Sequence, residues 1–83
     1  MKTIYKYEAD EAGGYQLPDT AEIVLVADQN QNIFPTVWAI VDPKDQSKGT
    51  ILQAVGTGHP IPWNTDHVGS AVCGAFVWHL VMV

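Results

Sequence analysis

The 83-residue chain predicts an all-β fold, a small antiparallel sandwich or barrel of about six strands with mainly hairpin connections. Three observations carry that expectation. Short apolar or alternating runs recur, with turn signals roughly every eight to twelve residues between them. The runs are rich in Val, Ile, Thr and aromatic residues, which suit a pleated surface. No stretch repeats its apolar residues at the spacing of a long amphipathic helix.

Taken in order, Met1 to Ala9 alternates, with Thr3, Tyr5 and Tyr7 on one side and Ile4 among Lys2, Lys6 and Glu8 on the other, so it reads as an outer or edge strand. Asp10-Glu11-Ala12-Gly13-Gly14 and Gln16-Leu17-Pro18-Asp19 are successive turn signals. Ala21 to Gln29 carries Ile23, Val24, Leu25 and Val26 in succession, which predicts a strand buried on both faces. Asp28 to Asn32 is a polar turn closing a hairpin onto Ile33–Asp42, in which Phe34, Trp38 and Ile40 oppose Val37, Ala39 and Val41. Pro35 cannot donate to a ladder, so pairing there is one-sided or bulged. Asp42 to Gly49 is an exposed turn, and Thr50–Val55 the next strand. Val68–Val72 and Ala75–Val83 form a hairpin around Cys73-Gly74, and both faces of the last strand are apolar. That strand therefore sits at the centre of a sheet or at a subunit interface.

Residues 1–83 form a single domain, and a chain this short has a marginal core. Small domains compensate with disulfides, metals or oligomerisation. Cys73 is the only cysteine, so no intrachain disulfide forms; it reads as a small buried hydrophobe and suits a reducing cytoplasm. His59, His67 and His79 lack helical or knuckle-like metal spacing, so neither a metal nor another cofactor is expected. Oligomerisation remains, and a homo-oligomer is the expectation. From Gly49 onward the only charged residue is Asp66, too few charges for an ordinary solvated surface. The net charge of −5, with no arginine, argues against a partner of duplex nucleic acid. No signal peptide is read at the start, and the run from Val68 to Val83 is too short and interrupted to span a membrane as a helix.

One stretch gathers turn formers, a titratable ring, two prolines and an aromatic: Gly56-Thr57-Gly58-His59-Pro60-Ile61-Pro62-Trp63. Gly56 and Gly58 allow close backbone approach, successive N–H groups can cradle an anion, and Trp63 can stack on a planar ligand. Two readings stay open. One is a rigid corner with His59 capping a carbonyl and Trp63 in the core. The other is a ligand-binding set of Gly56, Thr57, Gly58, His59 and Trp63, with Lys44 and Lys48, or Lys2 and Lys6 of a neighbouring subunit, as cationic contacts. Phe76, Trp78, His79 and Leu80 are the expected interface residues, tryptophan being enriched at interface hot spots.

Catalysis finds little support. There is no G-x-S-x-G elbow, and Cys73 lacks a nucleophile signature. Asp66 and His67 are adjacent, and neighbours in a strand point to opposite faces. The expectation is no enzyme and no catalytic residues.

The opening Ile4-Tyr5-Lys6-Tyr7-Glu8, the strand end Trp38-Ala39-Ile40-Val41-Asp42-Pro43, the loop Gly56-Thr57-Gly58-His59-Pro60-Ile61-Pro62 and the closing Phe76-Val77-Trp78-His79 together resemble a family of short phage- and prophage-encoded proteins catalogued as a domain of unknown function. Gly13 to Gln31 matches least. The resemblance implies a viral origin and the host-cell cytoplasm, and supplies no activity. By analogy with small phage proteins, the expected function is a non-enzymatic counter-defence protein that sequesters a small nucleotide signal in an oligomer-interface pocket. The alternatives are a protein-binding inhibitor of a host enzyme, or a minor virion or morphogenesis component.

Overall fold

A computed structural model describes residues 1–29 and 33–83. Among the described residues there are seven strands in two antiparallel sheets: β1 (Thr3–Tyr7), β2 (Gly14–Leu17), β3 (Glu22–Ala27), β4 (Thr36–Val41), β5 (Thr50–Gly56), β6 (Asp66–Cys73) and β7 (Phe76–Met82). One sheet has the order β1-β4-β3 and the other β2-β5-β7-β6. The all-β expectation holds, and the architecture is a sandwich.

The strand beyond the expected set is β2, four residues long between two turn signals. It forms because Tyr15 and Leu17, two apart, both point inward and are buried. Asp10 builds the turn before it: its carboxylate accepts from the N–H groups of Ala12 and Gly14, both at 2.9 Å. Gly13 supplies the left-handed residue there, with φ of 82°.

Two expectations need correcting. β3 is an edge strand with Val24 and Leu25 exposed, not a strand buried on both faces. A bulge between Ile23 and Leu25 explains this: an extra residue resets the alternation, so a run of four apolar residues serves one buried face interrupted by a kink. Connections are also not mainly hairpins. β3–β4 and β6–β7 are hairpins, whereas β1–β2, β2–β3 and β4–β5 pass between the sheets. Turn residues mark where the chain reverses but not which sheet receives the next strand. The Asn30–Asn32 part of the β3–β4 turn lies outside the described residues.

The core is the space between the sheets. Val37, Ala39 and Val41 of β4 meet Tyr15 and Leu17 of β2, Leu52 and Ala54 of β5 and Leu80 of β7. The Tyr15 hydroxyl donates to the Pro35 carbonyl at 2.5 Å within that core. Gly69 of β6 faces inward against β3; a Cβ there would lie 2.6 Å from Val26 Cγ2. Cys73 is a buried free thiol, as expected. The central strand of the four-stranded sheet is β7, paired with β5 on one side and β6 on the other.

β5 and β6 both run antiparallel to β7, so they are parallel to each other. Residues 57–65 must therefore carry the chain from the far end of β5 back towards the start of β6. This non-hairpin link contains most of the Gly56–Trp63 stretch.

Candidate functional site

The link begins with a tight turn in which the His59 N–H donates to the Gly56 carbonyl at 3.1 Å. Gly58 occupies the left-handed region, φ 88°, and a Cβ there would meet nothing within 4 Å. A second turn follows, held by the Thr65 N–H and the Thr65 hydroxyl, which donate to the Pro62 carbonyl at 3.2 and 2.9 Å. Trp63 lies inside this turn with its side chain wholly exposed, at 105% of reference accessibility. Of the two readings of the loop, the rigid corner with a core Trp63 fails at that residue. The His59 ring sits beside Gly56, whose added Cβ would be 3.4 Å from His59 Cε1, and both flanking prolines are exposed.

Lys44 and Lys48 are exposed, in the β4–β5 loop at the start of β5, whereas the loop of interest leaves its end. A strand of seven residues separates the two by roughly 20 Å. Gly56, Thr57, Gly58 and His59 are thus divided from the two lysines, whereas Trp63, three residues before β6, belongs to the returning part of the link, towards the end at which β5 begins.

The lysine loop is itself well built. Asp45 accepts from the Ser47 N–H at 2.9 Å, the Ser47 hydroxyl at 2.6 Å and the Thr20 hydroxyl at 2.8 Å. Those bonds, the Ser47 side chain first, hold the Asp45 carboxyl at about 2, below its ordinary 3.8. Ser47 Oγ in turn accepts from the Asp19 N–H at 2.8 Å, and Asp19 accepts from the Gly49 N–H at 2.7 Å.

The expected interface residues separate by face. Leu80 is fully buried in this chain's own core and so is not an interface residue: its position in β7 directs it between the sheets. Trp78 points the same way, with its ring 4.9 Å from Phe34, and Phe76 continues that row to an exposed position. His79 points outward.

On the outer face of the four-stranded sheet, His79 meets two groups. Its Nε2 is 2.9 Å from the Thr57 hydroxyl, and its Nδ1 is 3.2 Å from His67 Nε2. The three form a continuous chain, hydroxyl to imidazole to imidazole, with ring centroids of the histidines 5.3 Å apart. Sequence reading missed the pairing because unbroken β6–β7 register places residues 67 and 79 on opposite faces. The bulge between His67 and Gly69 pairs His67 with Val81, one residue short of that register, and brings it onto the outer row. Gly69 inside an apolar strand is the signal for such a bulge.

Connectivity from a hydroxyl through one imidazole to a second matches that of a nucleophile, base and orienting group. A cavity of about 380 Å³ lies elsewhere, lined by Glu8, Ala9, Asp10, Glu11, Ile33 and Phe34, and includes none of the three. Among the described residues no three His, Cys, Asp or Glu side chains gather to hold a metal. No helix among them is long and apolar enough to cross a membrane.

The family model described as Domain of unknown function (DUF7352) matches residues 1–83. The chain belongs to that family. No curated protein and no solved structure matches it.

Proposed function

We propose that the chain is a non-enzymatic binding protein of phage type that meets its partner through the Gly56–Trp63 loop, with Trp63 as the anchor. The observation that carries this reading is the complete exposure of an indole on a loop braced by two turns. A tryptophan contributes nothing to its own fold there, whereas at a contact it adds large area at small entropic cost. Ile61, also exposed, extends the same apolar tip. A host protein is the partner that a single copy of the chain can serve, as an inhibitor would. The acidic balance of −5 suits a basic target.

The second reading is a small nucleotide signal sequestered between copies in the host-cell cytoplasm. Gly58 favours it, because its open, left-handed position lets a ligand approach the backbone there. For a ligand held at Gly58, Lys44 and Lys48 would come from a second copy, since within one chain they lie at the other end of β5.

Capture from a bacterial lysate, paired with calorimetric titration of cyclic and linear nucleotides, separates the two. A stoichiometric protein retained by the wild type and lost with Trp63→Ala supports the first reading; nucleotide heat lost in the same variant supports the second. Trp63→Ala should leave unfolding stability within about 0.5 kcal/mol, as expected of an exposed site. Neither protein capture nor nucleotide heat would overturn both.

A further inference from the structure

The imidazole pair holds two ring nitrogens at a spacing that suits a shared metal ion as well as the hydrogen bond between them. Two nitrogens bound to one zinc-like ion at about 2.0–2.1 Å, with tetrahedral angles, lie about 3.3 Å apart. His67 Nε2 and His79 Nδ1 are 3.2 Å apart. We propose that these two atoms form a two-histidine site for a divalent transition-metal ion of the zinc and copper class.

Three features of the structure support it. The other nitrogen of His79, Nε2, has the Thr57 hydroxyl at 2.9 Å. A ligating histidine ordinarily donates its second N–H to an oxygen acceptor, which fixes the tautomer and turns the remaining lone pair to the metal. Thr57 fills that role, as a positioning residue. The two histidines also project from strands directly paired in one sheet, β6 and β7, so their spacing is set by the ladder and not by a flexible loop. Finally, His67 is exposed and His79 half-buried, which leaves an entry path from solvent. Two tetrahedral positions remain, for water or for the same pair on a second copy of the chain. Imidazole donors favour copper, zinc and nickel and give magnesium and calcium little. The site is independent of whatever partner Trp63 meets.

The test uses the full chain, stripped with a chelator and titrated with Cu²⁺, Zn²⁺ and Ni²⁺, with Mg²⁺ and Ca²⁺ as controls. The expected result is saturable uptake of the first three and none of the controls, at one ion per chain, or one per two chains if copies share it. Nitrogen NMR of the imidazoles on the unmodified protein should show Zn²⁺ moving His67 Nε2 and His79 Nδ1 and leaving His59 unchanged. His67→Gln and His79→Gln should each weaken uptake by about tenfold or more, and His59→Gln should not. Thr57→Val should weaken it about tenfold, with Thr57→Ser restoring it. No uptake of any of the three ions would overturn the proposal. So would uptake that leaves the His67 and His79 resonances in place, because the ion would then sit on the acidic Asp10–Glu11 segment or elsewhere.

Discussion

Single residues fix this sandwich where one sheet touches the other. The Tyr15 hydroxyl and the Pro35 carbonyl are buried partners, and proline has no N–H of its own to add to the local network. Burial, with a smaller contribution from the Cys73 thiol, raises the Tyr15 phenol well above its ordinary 10.0, so it remains a neutral donor. Tyr15→Phe keeps the ring and strands the carbonyl. Chemical denaturation should show a loss of about 1–3 kcal/mol, the cost of a buried polar group left without its partner. Gly69 fixes the spacing of β6 and β3 in the opposite sense, through what it lacks. Gly69→Ala drives a methyl to 2.6 Å from Val26 Cγ2. The expected cost is about 1–3 kcal/mol of overpacking. Val26→Ala in the same chain should recover part of it, a non-additivity that a double-mutant cycle measures directly. Strict additivity would mean that the two residues do not touch.

At the scale of elements, the loops at the end of the sandwich where β5 begins are tied to each other. Asp45 joins the β4–β5 loop to Thr20, and Asp19 joins the β2–β3 turn to Ser47 and Gly49. Asp45 carries a pH signature. Its carboxyl is held at about 2 when folded, against an ordinary 3.8. A depressed acid contributes its stability in full above the unfolded value and loses it as pH falls through the folded one. The Asp45 contribution therefore fades between pH 3.8 and about 2. Asp45→Asn removes that titration, and stability measured across the window should fall less steeply than in the wild type. Equal slopes would detach Asp45 from the latch. These loops were legible in sequence, because Asp, Ser, Pro and Gly turns act through local bonds. So were β1, β4, β5 and the β6–β7 hairpin, whose patterns are local too. β2 was hidden because its four residues are bracketed by turn formers, and its reality depends on Tyr15 and Leu17 reaching the opposite sheet. The exposure of β3 and the pairing of His67 with His79 were hidden for one shared reason: each depends on a bulge, and a single inserted residue exchanges the two faces of a strand.

The whole molecule is a slab of 38 × 31 × 20 Å, two layers thick, with unequal outer faces. The outer face of the three-stranded sheet mixes Ile4, Leu25, Trp38 and Ile40 with Lys6 and Glu22. The four-stranded sheet carries one charged residue, Asp66, at the start of its edge strand. Its outer rows are Gln16 on β2, Ile51, Gln53 and Val55 on β5, Val77, His79 and Val81 on β7, and His67, Ser70 and Val72 on β6; of these Val81 is already buried within the chain. A face without charge offers no repulsion to a second copy. The 38 × 31 Å breadth is ample for the roughly 800 Å² per partner that a standard interface buries. Self-association through this face is the expected consequence, and it places the imidazole pairs of two copies on the same interface. Light scattering should then give a mass that is a multiple of 9.1 kDa. Val77, 41% exposed on that face at the β6–β7 hairpin end of the central strand, is the position to break it. Val77→Glu puts a carboxylate where two copies meet and, by symmetry, opposes it with another. It should lower the mass to that of one chain while changing monomer stability by only about 0.5 kcal/mol, because the side chain is solvated when the chain stands alone. A wild-type mass of 9.1 kDa would reject the interface outright. An oligomer that survives Val77→Glu would move the contact to the other sheet, where Leu25→Glu makes the same test on the exposed Leu25.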